Sequence, residues 1–117
     1  MLEPLTRGKD EHVVRIRELN DAFRTRFAGG HVMMTPSVEA LPAMVKAAAL
    51  QQVATFDAFT PDNDPHGEHD FGSFALCNRT FFWKIDAYDK TMEYGSDDPA
   101  DPNKTTRVLT LMLAEDY

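Results

Sequence analysis

Cysteine is nearly absent: Cys77 stands alone, so no disulfide can form within the chain. No apolar run approaches the length needed to cross a bilayer. The sequence also lacks a basic start followed by an apolar stretch, the signature of an export signal. Phosphate-cradling glycine loops, dinucleotide fingerprints and Gly-x-Ser-x-Gly elbows are missing too. Positive charge is scarce, with 12 Lys or Arg against 19 Asp or Glu and a net charge of -7. Such a balance disfavours contact with a phosphate backbone or an anionic membrane. These absences predict a cytoplasmic protein that binds neither nucleic acid directly nor membrane, and whose partners are basic proteins, cations or neutral molecules.

What is present suffices for a core. The 117 residues fit one domain spanning 1–117, and 43% hydrophobic content with eight Phe is too much for a disordered chain. Residues 1 to 9 read as a loose lead-in. From about Asp10, the set Val13, Ile16, Leu19, Phe23 and Phe27 recurs at three and four, which predicts an amphipathic helix with Arg15, Arg17, Glu18, Arg24 and Arg26 on its other faces. Gly29-Gly30 stops it, one glycine taking the left-handed conformation. A short extended piece follows over His31 to Thr35, then Thr35-Pro36 and Leu41-Pro42 open a short turn and a longer helix. Leu41, Val45, Ala49, Val53 and Phe56 line one side of that helix, which is expected to end near Phe59.

After Gly72 the period becomes two. Phe74 and Leu76 alternate with Ser73, Ala75 and Cys77, Asn78-Arg79 forms a divide, and Phe81, Trp83 and Ile85 share the apolar face of a second strand. Residues 95 to 104 are a loop, and Thr105 to Leu113 is a largely buried closing strand. The expected fold is α+β, two N-terminal helices packed on a small, mainly antiparallel sheet of three to four strands.

Several long motifs coincide with a known pattern: Asp62-Asn63-Asp64-Pro65-His66-Gly67-Glu68-His69-Asp70-Phe71-Gly72, Phe82-Trp83-Lys84-Ile85-Asp86, Glu93-Tyr94-Gly95-Ser96 with Asp98-Pro99-Ala100-Asp101-Pro102, and Thr106-Arg107-Val108-Leu109-Thr110 with Met112-Leu113-Ala114. Together they resemble the uncharacterised bacterial family known as domain of unknown function 3768, small proteins of mainly alphaproteobacterial genomes and their mobile elements. The resemblance implies a bacterial, intracellular, single-domain protein. It brings no activity and no catalytic residues.

Two regions carry the candidate chemistry. In the first, Asp62, Asp64, His66, Glu68, His69 and Asp70 place four carboxylates and two imidazoles within nine positions. Asp62, Asp64 and His66 with Gly67 match the start of a calcium loop, but Ser73 stands where the bidentate Glu belongs and a strand follows where a helix should. His66 and His69 with a carboxylate could instead hold zinc, manganese or iron, so one divalent cation is the sole candidate cofactor. A self-capped loop of Asx turns around Pro65 and Gly67 accounts for the same residues. The second region is the acidic tract over residues 57 to 101, eleven acids against three bases. Within it Asp86, Asp89, Glu93, Asp97, Asp98 and Asp101 are candidate contacts to a basic surface of another protein.

The remaining candidates read as structure. Cys77 is expected in the core, Arg107 in an ion pair with an acid such as Asp86, and Phe81, Phe82, Trp83, Tyr88 and Tyr94 as core and sheet-face aromatics, since too few bases accompany them for nucleic-acid stacking. His12 and His31 are expected at the surface. Two function classes follow. One is a small acidic binding protein, with a mobile-element inhibitor or nucleic-acid mimic acting on a host defence nuclease of restriction or CRISPR type as its finer form. The alternative is a metal-dependent, hydrolase-like enzyme centred on residues 62 to 70.

Overall fold

The computed structural model describes residues 4–117, with side chains from Asp10 onward. Helix α1 runs Pro4–Arg26, with proline in the first turn where its missing N–H leaves no bond unmade. The lead-in expected over residues 1 to 9 is therefore helical from Pro4, and residues 1–3 lie outside the described part. Strand β1 is His31–Met34, the short α2 is Pro36–Glu39 and α3 is Ala43–Thr55. Strands β2 (Phe71–Leu76), β3 (Arg79–Tyr88) and β4 (Thr106–Leu113) complete a four-stranded sheet of order β1-β4-β3-β2. The fold is α+β, as the sequence predicts. The sheet is mixed, because β1 runs parallel to β4 while the other two pairings are antiparallel.

Register explains which residues meet. Trp83 lies opposite Leu111 on one side and Gly72 on the other, and Ile85 lies opposite Leu109. Alternation then puts Phe81, Trp83, Ile85, Leu109, Leu111 and Leu113 on one face, where they join Phe23, Val38, Ala49 and Val53 in a single buried cluster. The two main helices and α2 cover this face. Helix α3 ends at Thr55, four residues before the expected Phe59, and Phe56 continues in extended geometry.

Glycine and polar groups set the joins. Helix α1 ends at Arg26 with Phe27 already left-handed at φ 55°, short of the expected glycine stop, and Gly29 is left-handed too at φ 91°. The β2–β3 hairpin turns on Cys77 and Asn78, both left-handed at φ 53° and 60°, the pairing a two-residue type I′ turn requires. Cys77 is thus exposed at a turn, and the expected core cysteine is corrected. The end of the chain is pinned by Asp116, which accepts from the Thr35 hydroxyl at 2.8 Å and the Leu113 N–H at 3.0 Å and also from Ser37. The hydroxyls of Ser37 and Thr35 hold its carboxyl below the usual range. Among the described residues, no helix is long and apolar enough to cross a membrane.

Candidate functional site

The loop between α3 and β2 is built by its own side chains. Asn63 Oδ1 accepts the Thr60 N–H at 2.9 Å, Thr60 Oγ1 accepts the Asn63 N–H at 3.2 Å, and Asn63 Nδ2 donates to the Ala58 carbonyl at 2.9 Å. Asp64 accepts the His69 N–H at 3.3 Å, closing a turn in which His69 is left-handed at φ 54°. This is the Asx-turn economy expected of a self-capped loop.

His69 ties that loop to the rest of the fold. Its ring lies flat on Phe59, 3.7 Å between centroids, and Nδ1 sits 3.0 and 3.1 Å from the two carboxylate oxygens of Asp21 on α1. Asp21 also accepts from Arg24 Nη2 at 2.8 Å, while Arg24 Nη1 donates to the Val53 carbonyl at 2.9 Å. The buried guanidinium lies over two aromatic rings, 5.2 Å from the centroid of Phe59 and 5.3 Å from that of Trp83. Arg24 was expected on an outer face of α1; instead it is only 5% exposed.

The six donors of residues 62 to 70 therefore go three ways. Asp62 and His66 are exposed and make no side-chain hydrogen bond among the described residues. Asp64 and His69 serve the anchor just described. They share with His66 a surface hollow of about 420 Å³, walled by Phe59, Pro61 and Pro65. Glu68 and Asp70 turn beneath α1, into a separate cavity of about 200 Å³ with Asn20, Ile85 and Arg107. No group of three or more His, Cys, Asp or Glu among the described residues is arranged to hold a metal ion.

In that cavity Arg107 is 5% exposed and finds no carboxylate among the described residues. Its Nε donates to Asn20 Oδ1 at 2.6 Å and its Nη2 to the Pro99 carbonyl at 2.6 Å, and Asn20 Nδ2 donates on to the Glu68 carbonyl at 2.9 Å. The expected pairing with Asp86 is corrected: Arg107 is opposite Ala87, and Asp86 pairs with Lys84 at 3.2 Å. Desolvation pulls the Arg107 guanidinium below its ordinary value, with Arg15 adding to the effect. Burial raises both carboxyls, Asp70 next adding to the rise at Glu68.

A carboxyl raised in the folded state binds its proton more tightly there than in the unfolded chain, so its contribution to stability falls as pH rises through the interval above the ordinary carboxylate value. Glu68→Gln is accordingly expected to raise the melting temperature at pH 7. That margin should shrink as pH falls into the carboxylate range, where the parent's own carboxyl, raised by burial, takes its proton. A series of thermal melts on both proteins checks this, and a gap that widens on acidification contradicts it.

The second candidate region is the loop from Asp89 to Thr105. Asp89 organises its first half, accepting from the Thr91 hydroxyl at 2.8 Å and the N–H groups of Glu93 and Tyr94 at 3.2 and 3.5 Å. These bonds, led by that of Thr91, lower its carboxyl pKa. Asp98 organises the second half, meeting His12 Nε2 at 3.0 Å and accepting the Ala100 N–H at 3.1 Å. Its pKa is lowered, first by His12. Asp101 accepts the Asn103 N–H at 2.9 Å. Of the six acids proposed for a partner, Asp89, Asp98 and Asp101 thus shape the loop and Asp86 pairs with Lys84. Glu93 and Asp97 stand exposed with no side-chain bond among the described residues. Beside them Tyr94 is 73% and Met92 44% exposed, so Tyr94 is no core or sheet-face aromatic. Asp21, Arg24 and Asn20, which hold the first region in place, lie some fifty residues away in sequence, and no local pattern marks them.

Residues 34–116 match the model of a family described as protein of unknown function (DUF3768). No curated protein and no solved structure matches the chain.

Proposed function

We infer that this chain, which belongs to the DUF3768 family, is a small acidic protein that binds a basic surface of another protein through the loop from Asp89 to Asp101. The observation carrying this reading is the pairing of an exposed aromatic with uncompensated acids on a loop held in shape by its own hydrogen bonds. Tyr94 and Met92 offer apolar area, Glu93 and Asp97 offer free charge, and Asp89 fixes the backbone between them. Protein interfaces concentrate their energy in such aromatic anchors, with charge setting approach and register. Preorganisation also lowers the entropy lost on binding.

The finer form of this reading is a nucleic-acid mimic, an inhibitor carried by a mobile element against a host nuclease of restriction or CRISPR type. Its support is the net charge of -7 and the genomic setting that the resemblance implies. The enzymatic alternative, a metal-dependent hydrolase, would draw its donors from six side chains that face three different places.

The test uses the intact protein as bait in an extract of its native host at low salt. The recovered partner's affinity should fall tenfold or more in Tyr94→Ala and in Glu93→Lys with Asp97→Lys, fall again as salt rises, and be competed by duplex DNA. These substitutions spare Asp89, Asp98 and Asp101, so the loop keeps its shape. A partner indifferent to all of them removes the reading.

A further inference from the structure

The cavity beneath α1 poses a problem of charge. Arg107, 5% exposed, shares the cavity with the acids Glu68, Asp70 and Asp86, yet no ion pair within 4 Å joins it to any of them, and only Asp86 is paired, with Lys84. Opposite charges sharing so small a space ordinarily close on one another, because an uncompensated buried charge is costly. Here they are held apart. Asn20 and the Pro99 carbonyl take Nε and Nη2 of Arg107, which fixes the guanidinium, and the Ile85 N–H bonds the Asp70 carbonyl at 2.8 Å, which fixes the opposite wall. A guanidinium has five N–H donors, of which these contacts use two. Among the described residues both hydrogens of Nη1 and one of Nη2 remain, and one from each nitrogen can serve as parallel donors to a carboxylate. Apart from the bond of Asp70 to its own N–H, neither Glu68 nor Asp70 has a side-chain partner among the described residues, and both are raised in pKa by burial.

We propose that this cavity, lined by Arg107 and Asn20 together with Glu68 and Asp70, binds a small zwitterion with the carboxylate and ammonium of an α-amino acid. The ligand's carboxylate takes the free edge of Arg107, and its ammonium lies between Glu68 and Asp70. Its side group rests on Ile16 and Ile85, the apolar part of the lining. Size agrees. At about 200 Å³ the space equals roughly six waters at about 30 Å³ each, enough for a compact amino acid and too little for a nucleotide. Net negative charge in the cavity further excludes a plain anion. This site is separate from the loop from Asp89 to Asp101, and neither reading depends on the other.

The probes are glycine, L-alanine and L-serine, with N-acetylalanine lacking the ammonium and alaninamide lacking the carboxylate. Calorimetry and thermal shift on the full chain should show saturable binding of at least one free amino acid, and at least tenfold weaker binding of both blocked forms. Binding should weaken tenfold or more in Glu68→Gln with Asp70→Asn, a pair expected to stay folded because it removes partly buried charge. Arg107→Lys should weaken it as well, since an ammonium cannot offer the parallel donors. Equal binding of alaninamide would make the site one for cations only, and equal binding of N-acetylalanine one for anions only. Either result overturns the proposal. So does the absence of any shift at 10 mM probe, which leaves the cavity to water.

Discussion

Replacing Trp83 by alanine is expected to destabilise the fold by about 3 to 5 kcal/mol, a large part of the 5 to 15 kcal/mol typical of a domain. The residue is fully buried. Phe56 and Phe59 meet it edge-on with centroids at 5.6 and 6.2 Å, and the Arg24 guanidinium lies 5.3 Å from its ring. Truncation therefore empties the junction where the end of α3, the following loop and the sheet converge. Two companions sharpen the expectation. Trp83→Phe should cost much less, because the indole Nε1 is buried without a hydrogen-bond partner and phenylalanine removes that orphan donor. Gly72→Ala should be costly, because a Cβ there would collide with Nε1, Cε2 and Cζ2 of the same indole. Urea denaturation followed by circular dichroism ranks the three. An alanine variant as stable as the parent would mean that the core is not organised around Trp83.

The core was legible in the sequence because it rests on local periodicity. Phe81, Trp83 and Ile85 alternate with the mixed set Phe82, Lys84 and Asp86, and Ala49 and Val53 repeat at the helical interval, so β3 and α3 show themselves without knowledge of their partners. Turn chemistry was legible only where its residues are conventional. Gly29 was foreseen, but the alternation of Phe74 and Leu76 ran on through Cys77, a residue seldom asked to take φ 53°. Long-range pairing was less accessible. Nothing in His31–Met34 says that it lies parallel to β4, some seventy-five residues on. Asn20 and Arg24 broke the amphipathic reading of α1 because they occupy its buried side with Ile16 and Phe23, each bonded in part to a group from a distant segment. Arg107 shows the converse case. Parity alone places it on the core face while Asp86 falls on the other with Lys84, so register decided its partner once β3 and β4 were aligned. The candidate site followed the same rule: the density of acids and histidines located the loop at 62–70, but where each side chain turns depends on α1, which carries no mark of it.

That dependence can be measured at Asp21. Asp21→Ala should cost about 2 to 4 kcal/mol, below the 3 to 5 kcal/mol of a fully buried pair because the Asp21 side chain is 35% exposed. Its removal leaves Arg24, buried to 5% exposure, with only the Val53 carbonyl and two aromatic faces to hold its charge, and strips His69 of the bond at 3.0 Å that ties the loop to α1. The greater part of the loss is then the stranded cation, which gives the prediction its distinctive form. Adding Arg24→Met to Asp21→Ala should recover part of the lost stability, since a flexible apolar chain can pack against Phe59 and Trp83 without a charge to desolvate. Hydrogen exchange should separate the two consequences. Amides of residues 60 to 70 should lose protection in both variants, because His69 has lost its anchor in each, while global stability should be lower in the single variant than in the double. Additive losses in the double variant would show that Arg24 contributes packing and hydrogen bonds of its own, and that Asp21 is no more than a surface carboxylate beside it.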